Sequence, residues 1–211
     1  MKIIGLTGKA RAGKDTAAGF ILQWCEDQGL SAERLAFADP LKLSAAAALG
    51  FDIAPRPGLM AEAVAFCDAL KVEGATITYD YPAEQGGGQI TGREFLQLYG
   101  TEAHRDVFGS EFWVEVTEKK LAERAGALDV VVLTDCRFPN EAAMVNQRGG
   151  EVWEIDRPNN DSLKDGLEAH SSETGLPDGA IEFCIANVGD RDDLRAMVRS
   201  VCEANIDRKG A

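Results

Sequence analysis

The sequence has no apolar run of membrane-spanning length. The longest uninterrupted candidates, such as residues 45–49, fall far short of what a bilayer requires. The Ile3-Ile4-Gly5-Leu6 run behind Met1-Lys2 is also too short for the apolar core of a signal peptide. The expectation is a chain that acts in the cytoplasm without a membrane partner. Cysteine is sparse and odd in number: Cys25, Cys67, Cys136, Cys184 and Cys202, with no Cys-x-x-Cys. Neither histidine, His104 or His170, has a cysteine at metal-ligand spacing. That excludes a disulfide framework and a structural zinc site, and leaves reduced thiols in a core. Positive charge is in deficit, 22 Lys and Arg against 35 Asp and Glu, a net charge of −13. Such a chain repels the backbone of long nucleic acid but can still hold one small phosphorylated ligand in a locally basic pocket. Internal repeats and low-complexity tracts are absent as well.

What is present is apolar residue, 45% of 211, enough for one globular domain with an inserted region. Strand and helix signals alternate, the pattern of an α/β fold with a parallel sheet. Strands are expected over 2–7, 34–37, 76–79, 130–133, 151–155 and 180–185. The Val130-Val131-Val132-Leu133 run has the fully apolar, β-branched character of a central parallel strand. Helices are expected over 14–28, ended by Gly29, and from Asp39-Pro40, with Asp39 as N-cap and Pro40 in the first helical position. Others are expected over 60–70, after the Thr91-Gly92-Arg93-Glu94 capping box, over 101–107, 111–124 and 139–147, and from Asp190 to about 205. Residues 51–90, with Pro55, Pro57, Pro82 and Gly86-Gly87-Gly88, read as an insertion or acceptor-side flap and not as a separate domain.

Between the first strand and the first helix lies Gly8-Lys9-Ala10-Arg11-Ala12-Gly13-Lys14-Asp15, a G-x-x-x-x-G-K phosphate loop. Glycines let successive N–H groups curl toward phosphate oxygens, and the helix N-terminus adds its dipole. Lys14 would bridge the β and γ phosphates. Asp15 stands where a Ser or Thr is usual; either it or Thr16 would organise Mg²⁺.

Asp135 ends the 130–133 strand, where ligands bind in open α/β sheets and where a Walker-B carboxylate would sit; capping the next helix is its alternative role. Arg137 follows within reach of a transferring phosphoryl group. Arg93, Gln97 and Arg105 gather around the Gly100-Thr101-Glu102 turn, as an anion-binding cluster or a solvated face. Arg157, with Pro158, Asn159 and Asn160, opens a loop that could act as a lid or be an ordinary surface loop. His170-Ser171-Ser172-Glu173 lacks a G-x-S-x-G context and reads as a local polar cap. Phe112 and Trp113 read as core, with a base platform as the alternative.

In series, these segments resemble the phage and bacterial deoxynucleoside monophosphate kinase family, a branch of the P-loop kinases. The resemblance rests on residues 5–16, Phe37-Ala38-Asp39-Pro40-Leu41-Lys42, Gly92-Arg93-Glu94-Phe95-Leu96-Gln97, Tyr99-Gly100-Thr101-Glu102 with Arg105, Phe112-Trp113-Val114, residues 135–141 and residues 170–173. It covers most of the chain, least well over 51–90. It implies a three-layer P-loop fold like that of nucleoside monophosphate kinases, and the reaction ATP + dNMP → ADP + dNDP. Gly8, Arg11, Ala12, Gly13, Lys14, Asp15 and Thr16 would hold ATP, with Asn187 near the donor base. Asp39, Lys42, Arg93, Gln97, Arg105 and Trp113 would lie at the acceptor, Asp15 and Asp135 at the Mg²⁺, and Lys14, Arg137 and Arg157 around the moving charge. Partners would be small nucleotides and not nucleic acid; the sequence leaves a homodimer open. Alternatives are a dephospho-coenzyme A kinase, with Asp39 as base, and an ATP-binding regulator without chemistry.

Overall fold

A computed structural model of the chain describes residues 1–72, 74–79, 88–158 and 176–207, which fall into two compact units. The first comprises Met1–Phe37 and Glu118–Ala211, the second Ala38–Thr117. The 51–90 segment read as an insertion lies inside the second unit, which extends beyond it on both sides.

The first unit is built on a parallel sheet. Strand β1 (Lys2–Thr7) is buried over five of its six residues because it is flanked on both edges. β5 (Val130–Leu133) pairs with it on one side and β6 (Glu151–Asp156) on the other. β2 (Ala32–Leu35) and β7 (Phe183–Ala186) complete the order β2-β5-β1-β6-β7, all parallel. The sheet therefore changes its direction of growth at β1, and ligands of open α/β sheets bind beyond the carboxyl ends of strands at such a switch point. Helix α1 (Lys14–Asp27) buries Ala17, Phe20, Ile21 and Trp24, a helical stripe that joins the core of Ile4, Leu6, Val130, Val132 and Trp153. Helix α8 (Arg191–Asn205) buries Leu194, Val198 and Cys202 at four-residue spacing, and its Arg195 guanidinium lies 4.8 Å above the Phe20 ring. Asp190 caps α8 through the N–H groups of Asp192 and Asp193, as its sequence position suggests.

Two strands are displaced from their expected limits. β2 starts at Ala32, not Arg34, because Ser31 and Asp129 clasp each other through the Asp129 carboxylate and set the register Ala32↔Val130. The last strand starts at Phe183, not Ala180; residues Asp178–Ala180 make a 3₁₀ turn, and pairing begins at Trp153↔Phe183.

In the second unit, helices α2 (Ala38–Ala48), α3 (Leu59–Ala69) and α4 (Gly92–Gly100) share a core of Ala45, Ala46, Ala63, Cys67 and Leu96. A hairpin of β3 (Thr76–Tyr79) and β4 (Gly88–Thr91) precedes α4; only its first strand was legible as a strand. Thr91 and Glu94 form the expected reciprocal cap of α4. α2 corrects the reading of Asp39 as its N-cap. The helix already includes Ala38, so Asp39 lies in the first turn and is buried, 4% exposed. Pro40 in that turn lacks only an N–H that has no helical partner anyway. After α4 the chain makes a π turn (Thr101–Arg105), a short α5 (Asp106–Phe108) and α6 (Phe112–Arg124). Helix α7 (Pro139–Gln147) connects β5 to β6. Among the described residues, no helix is long and apolar enough to cross a membrane.

Candidate functional site

The loop of Gly8 to Gly13 leaves β1 at its carboxyl end and is forced into a tight curl. Gly8 (φ +127°), Arg11 (φ +60°) and Gly13 (φ +105°) all have positive φ, and Arg11 is the only non-glycine to do so among the described residues. Its conformation costs on the order of 1–2 kcal/mol and persists because the surrounding structure determines it. The two glycines are required by contact as well as by φ. A Cβ on Gly8 would strike the Ile155 carbonyl, and one on Gly13 would lie 2.7 Å from Asn187 Nδ2. Lys14 Nζ arches over the loop and donates to the carbonyls of Gly8 (2.7 Å) and Lys9 (2.9 Å). Asn187, first residue after β7, donates its Nδ2 to the Ala12 carbonyl at 2.7 Å, so it braces the loop from the neighbouring strand end. Its own N–H donates to the Asp156 carbonyl.

Asp15, in the first turn of α1, is 85% exposed, with Arg34 Nη2 3.8 Å from its Oδ1. Sequence reasoning missed Arg34; its proximity to Asp15 follows only from β2 pairing alongside β5. Thr16 is half-buried beside it.

The turn after β5 carries the next charged groups. Asp135 Oδ1 accepts the Phe37 N–H at 2.7 Å, which ties the end of β5 to the residue preceding α2. Cys136, fully buried, donates its N–H to the Leu6 carbonyl of β1. Burial, reinforced by the Glu141 and Asp135 carboxylates, pushes its thiol far up. Glu141 is a second residue the sequence did not single out. It is 2% exposed and accepts the N–H groups of Arg137 (2.8 Å) and Phe138 (3.0 Å), fixing the backbone that presents Arg137. Asp135 is thus not the cap of α7; Glu141 carries the N–H groups there. Arg157 follows β6 directly and is exposed. Asn159, Asn160 and the His170-Ser171-Ser172-Glu173 segment lie outside the described residues.

All of these residues, Gly8 to Thr16, Asp135, Arg137, Arg157 and Asn187, sit at or just beyond carboxyl ends of strands of one sheet. All five cysteines are free, and burial, with Asp129, pushes the Cys25 thiol up to about 11 and, with Cys25 and Glu203, the Cys202 thiol to about 12.

The second unit holds the residues assigned to the acceptor. Arg93 is exposed on α4, and Gln97 follows one turn later, half-buried. Arg105 ends the π turn and reaches the Ser110 carbonyl at 3.4 Å. Lys42 Nζ lies 3.0 Å from Asp68 Oδ1, which also pairs with Lys71 at 2.8 Å. Trp113 is 3% exposed, and its indole N–H donates to the Gly100 carbonyl at 3.0 Å. This tryptophan holds the Gly100 turn through that bond, and its ring is buried.

The Asp68 pairs carry a pH prediction. Burial pushes the Asp68 carboxyl upward, but hydrogen bonds and charge from Lys71 and Lys42 outweigh it and hold the group below the usual carboxylate range. A depressed folded-state pKa contributes stability that is present above the unfolded value and lost as pH falls through the folded one. Asp68→Asn should therefore lower the urea midpoint at pH 7 by an amount equivalent to less than about 1 kcal/mol, given the exposure of the pair. The difference from wild type should close in acid, below the carboxylate range, and urea titrations at both pH values check it.

Residues 77–198, more than half of the 211, match the family profile of deoxynucleotide monophosphate kinases. Over 252 aligned positions covering 97% of both chains, the sequence is 26% identical to the deoxynucleoside-5′-monophosphate kinase of Escherichia phage T5. Among solved structures, similarity extends to a sugar kinase from a Janibacter species (TM-score 0.47, 11% identity, 98% of this chain and 95% of that one). It extends also to dephospho-CoA kinase from Campylobacter jejuni (TM-score 0.42, 13% identity, 96% of each chain). By the family match, this chain belongs to the deoxynucleotide monophosphate kinases, enzymes of phosphoryl transfer to a deoxynucleoside monophosphate.

Proposed function

We propose that the chain transfers the γ-phosphoryl group of ATP to the 5′-phosphate of a deoxynucleoside monophosphate, giving ADP and the deoxynucleoside diphosphate. The observation that carries the donor half is the curled loop at the end of β1, with its three positive-φ residues and Lys14 arched over it. Such a curl presents backbone N–H groups and a helix N-terminus to phosphate oxygens. Gly8, Arg11, Ala12, Gly13, Lys14 and Thr16 would hold the triphosphate, and Asn187 would keep the loop in register while facing the donor nucleoside.

The two phosphates start with like charge, so the protein's task is alignment and neutralisation rather than covalent chemistry. Lys14 draws charge from the β–γ bridge, while Arg137 and Arg157 neutralise the transferring group. Asp39, Lys42, Arg93, Gln97 and Arg105 serve the acceptor, with Trp113 positioning the turn among them. Asp15 and Asp135 fit a Mg²⁺ that keeps most of its water: both are hard oxygen donors, and Mg²⁺ at such sites uses one or two carboxylates plus phosphate. Mg²⁺ would supply charge neutralisation across the β and γ phosphates. Free, high-pKa thiols suit a reducing cytoplasm, where these small nucleotides are available.

The test is a coupled ADP-release assay with ATP and Mg²⁺, offering each dNMP, each ribonucleotide, dephospho-CoA or no acceptor. ADP release dependent on at least one dNMP is the expected result, with one added phosphate on the product by mass. Turnover on dephospho-CoA alone, or ATP binding with no acceptor-dependent turnover, overturns the proposal.

A further inference from the structure

We propose that Phe108 is the ring on which the base of the acceptor deoxynucleotide stacks. The inference rests on the kinase function proposed above and assigns it a residue that the sequence did not single out. Isolated exposed apolar side chains are ordinary; Phe108 is distinguished by how it is mounted. It is 65% exposed, yet its ring lies nearly parallel to that of Phe112, 29° apart with centroids 5.4 Å away. Phe112 in turn meets Trp113 edge-on at 4.8 Å, and Trp113 is buried with its N–H fixed on the Gly100 carbonyl. The His104 ring contacts Phe108, Phe112 and Trp113 together, and its Nδ1 is within hydrogen-bond distance of the Tyr99 carbonyl. The outermost ring of this ladder is therefore held in place before any ligand arrives, so stacking on it orders little that is not already ordered.

Charge placement identifies the ligand. Arg105 precedes Phe108 by three residues, and its guanidinium reaches past it in sequence to the Ser110 carbonyl at 3.4 Å, so the cation and the ring belong to one short segment. The π turn ending at Arg105 makes the local winding irregular, a feature frequent at functional sites. A cation beside a mounted flat apolar ring matches a nucleoside monophosphate, which carries a dianion and an aromatic base within one residue-scale length. The ring can contribute stacking but no edge hydrogen bonds, so it should favour every base to a similar degree.

The experiment measures dNMP binding by calorimetry and turnover by the coupled assay for wild type, Phe108→Ala, Phe108→Leu and Phe108→Trp. Because the side chain is largely exposed, all three variants should fold, which the near-ultraviolet signal of the buried tryptophans reports. Phe108→Ala should raise Kd and KM for each accepted dNMP by about 10- to 100-fold, with KM for ATP within about twofold. Phe108→Leu should lose most of that affinity despite its similar bulk. Phe108→Trp should retain it and give fluorescence that the bound base quenches. Phe108→Ala with wild-type dNMP affinity, or Phe108→Leu indistinguishable from wild type, overturns the stacking role and leaves the kinase function standing. Wild-type protein that turns over no dNMP removes the acceptor and overturns both.

Discussion

Lys14→Ala should lower phosphoryl transfer by about 10³-fold or more while leaving the chain folded. The ammonium makes two hydrogen bonds to the carbonyls of its own loop, from a half-buried position. Their removal costs on the order of 1–3 kcal/mol of folding stability, which the urea midpoint reads, whereas a thousandfold loss of rate corresponds to about 4 kcal/mol of transition-state stabilisation, which kcat/KM reads. The two effects are thus measured separately. The loop's curl should survive, because it is set by the positive φ of Gly8, Arg11 and Gly13 and by the Asn187 brace on Ala12, none of which the substitution touches. The measurements are kcat/KM from the coupled assay, the urea midpoint, and binding of a non-hydrolysable ATP analogue. A variant that retains turnover within tenfold of wild type would remove the loop from the reaction. A variant that unfolds would show Lys14 to be structural, and Lys14→Met, which keeps the aliphatic stem, then isolates the charge.

The loop was legible because every term that defines it is local. An apolar strand, two glycines five residues apart and a lysine opening a helix all lie within sixteen residues. The same holds for the Asp190 cap and the Thr91–Glu94 capping box, where donor and acceptor are separated by three residues. What stayed hidden depends on contacts distant in sequence. The start of β2 is set by Ser31 and Asp129, 98 positions apart, and no propensity near Arg34 reports that clasp. Arg34 itself reads as a residue of an expected strand; only pairing of β2 with β5 brings it beside Asp15. The Asp39-Pro40 pair carries a genuine helix-start signal, but the helix extends one residue further back and buries the carboxylate. Trp113 and Phe108 lie five residues apart, and which of them is covered is decided by the Gly100 carbonyl and the π turn, not by their own types. Glu141 was invisible for a related reason: its value lies in two backbone N–H groups upstream, not in a motif of its own.

That placement of Glu141 makes Arg137 testable as a side chain. The Arg137 backbone N–H, held by the Glu141 carboxylate, is present in any substitution except proline, so Arg137→Ala keeps the turn after β5 and deletes only the guanidinium. If that guanidinium neutralises the transferring phosphoryl group, its charge is needed most where charge is most spread, in the transition state. Arg137→Ala should then lower kcat by about 10²- to 10³-fold with KM for ATP and dNMP changed by no more than a fewfold. Arg137→Lys should recover only part of the loss, since an ammonium supplies the charge but not the planar fork that meets two oxygens at once. Steady-state kinetics in both substrates decides between roles. A rise in KM with kcat intact would move Arg137 to ground-state binding. Wild-type kinetics in the alanine variant would take the Arg137 guanidinium out of the neutralisation altogether. Glu141→Gln provides the structural contrast: it retains an acceptor oxygen for the two N–H groups but loses the charge that strengthens those bonds. Its kcat should therefore fall less than that of Arg137→Ala, in proportion to how far the guanidinium drifts from the line of transfer.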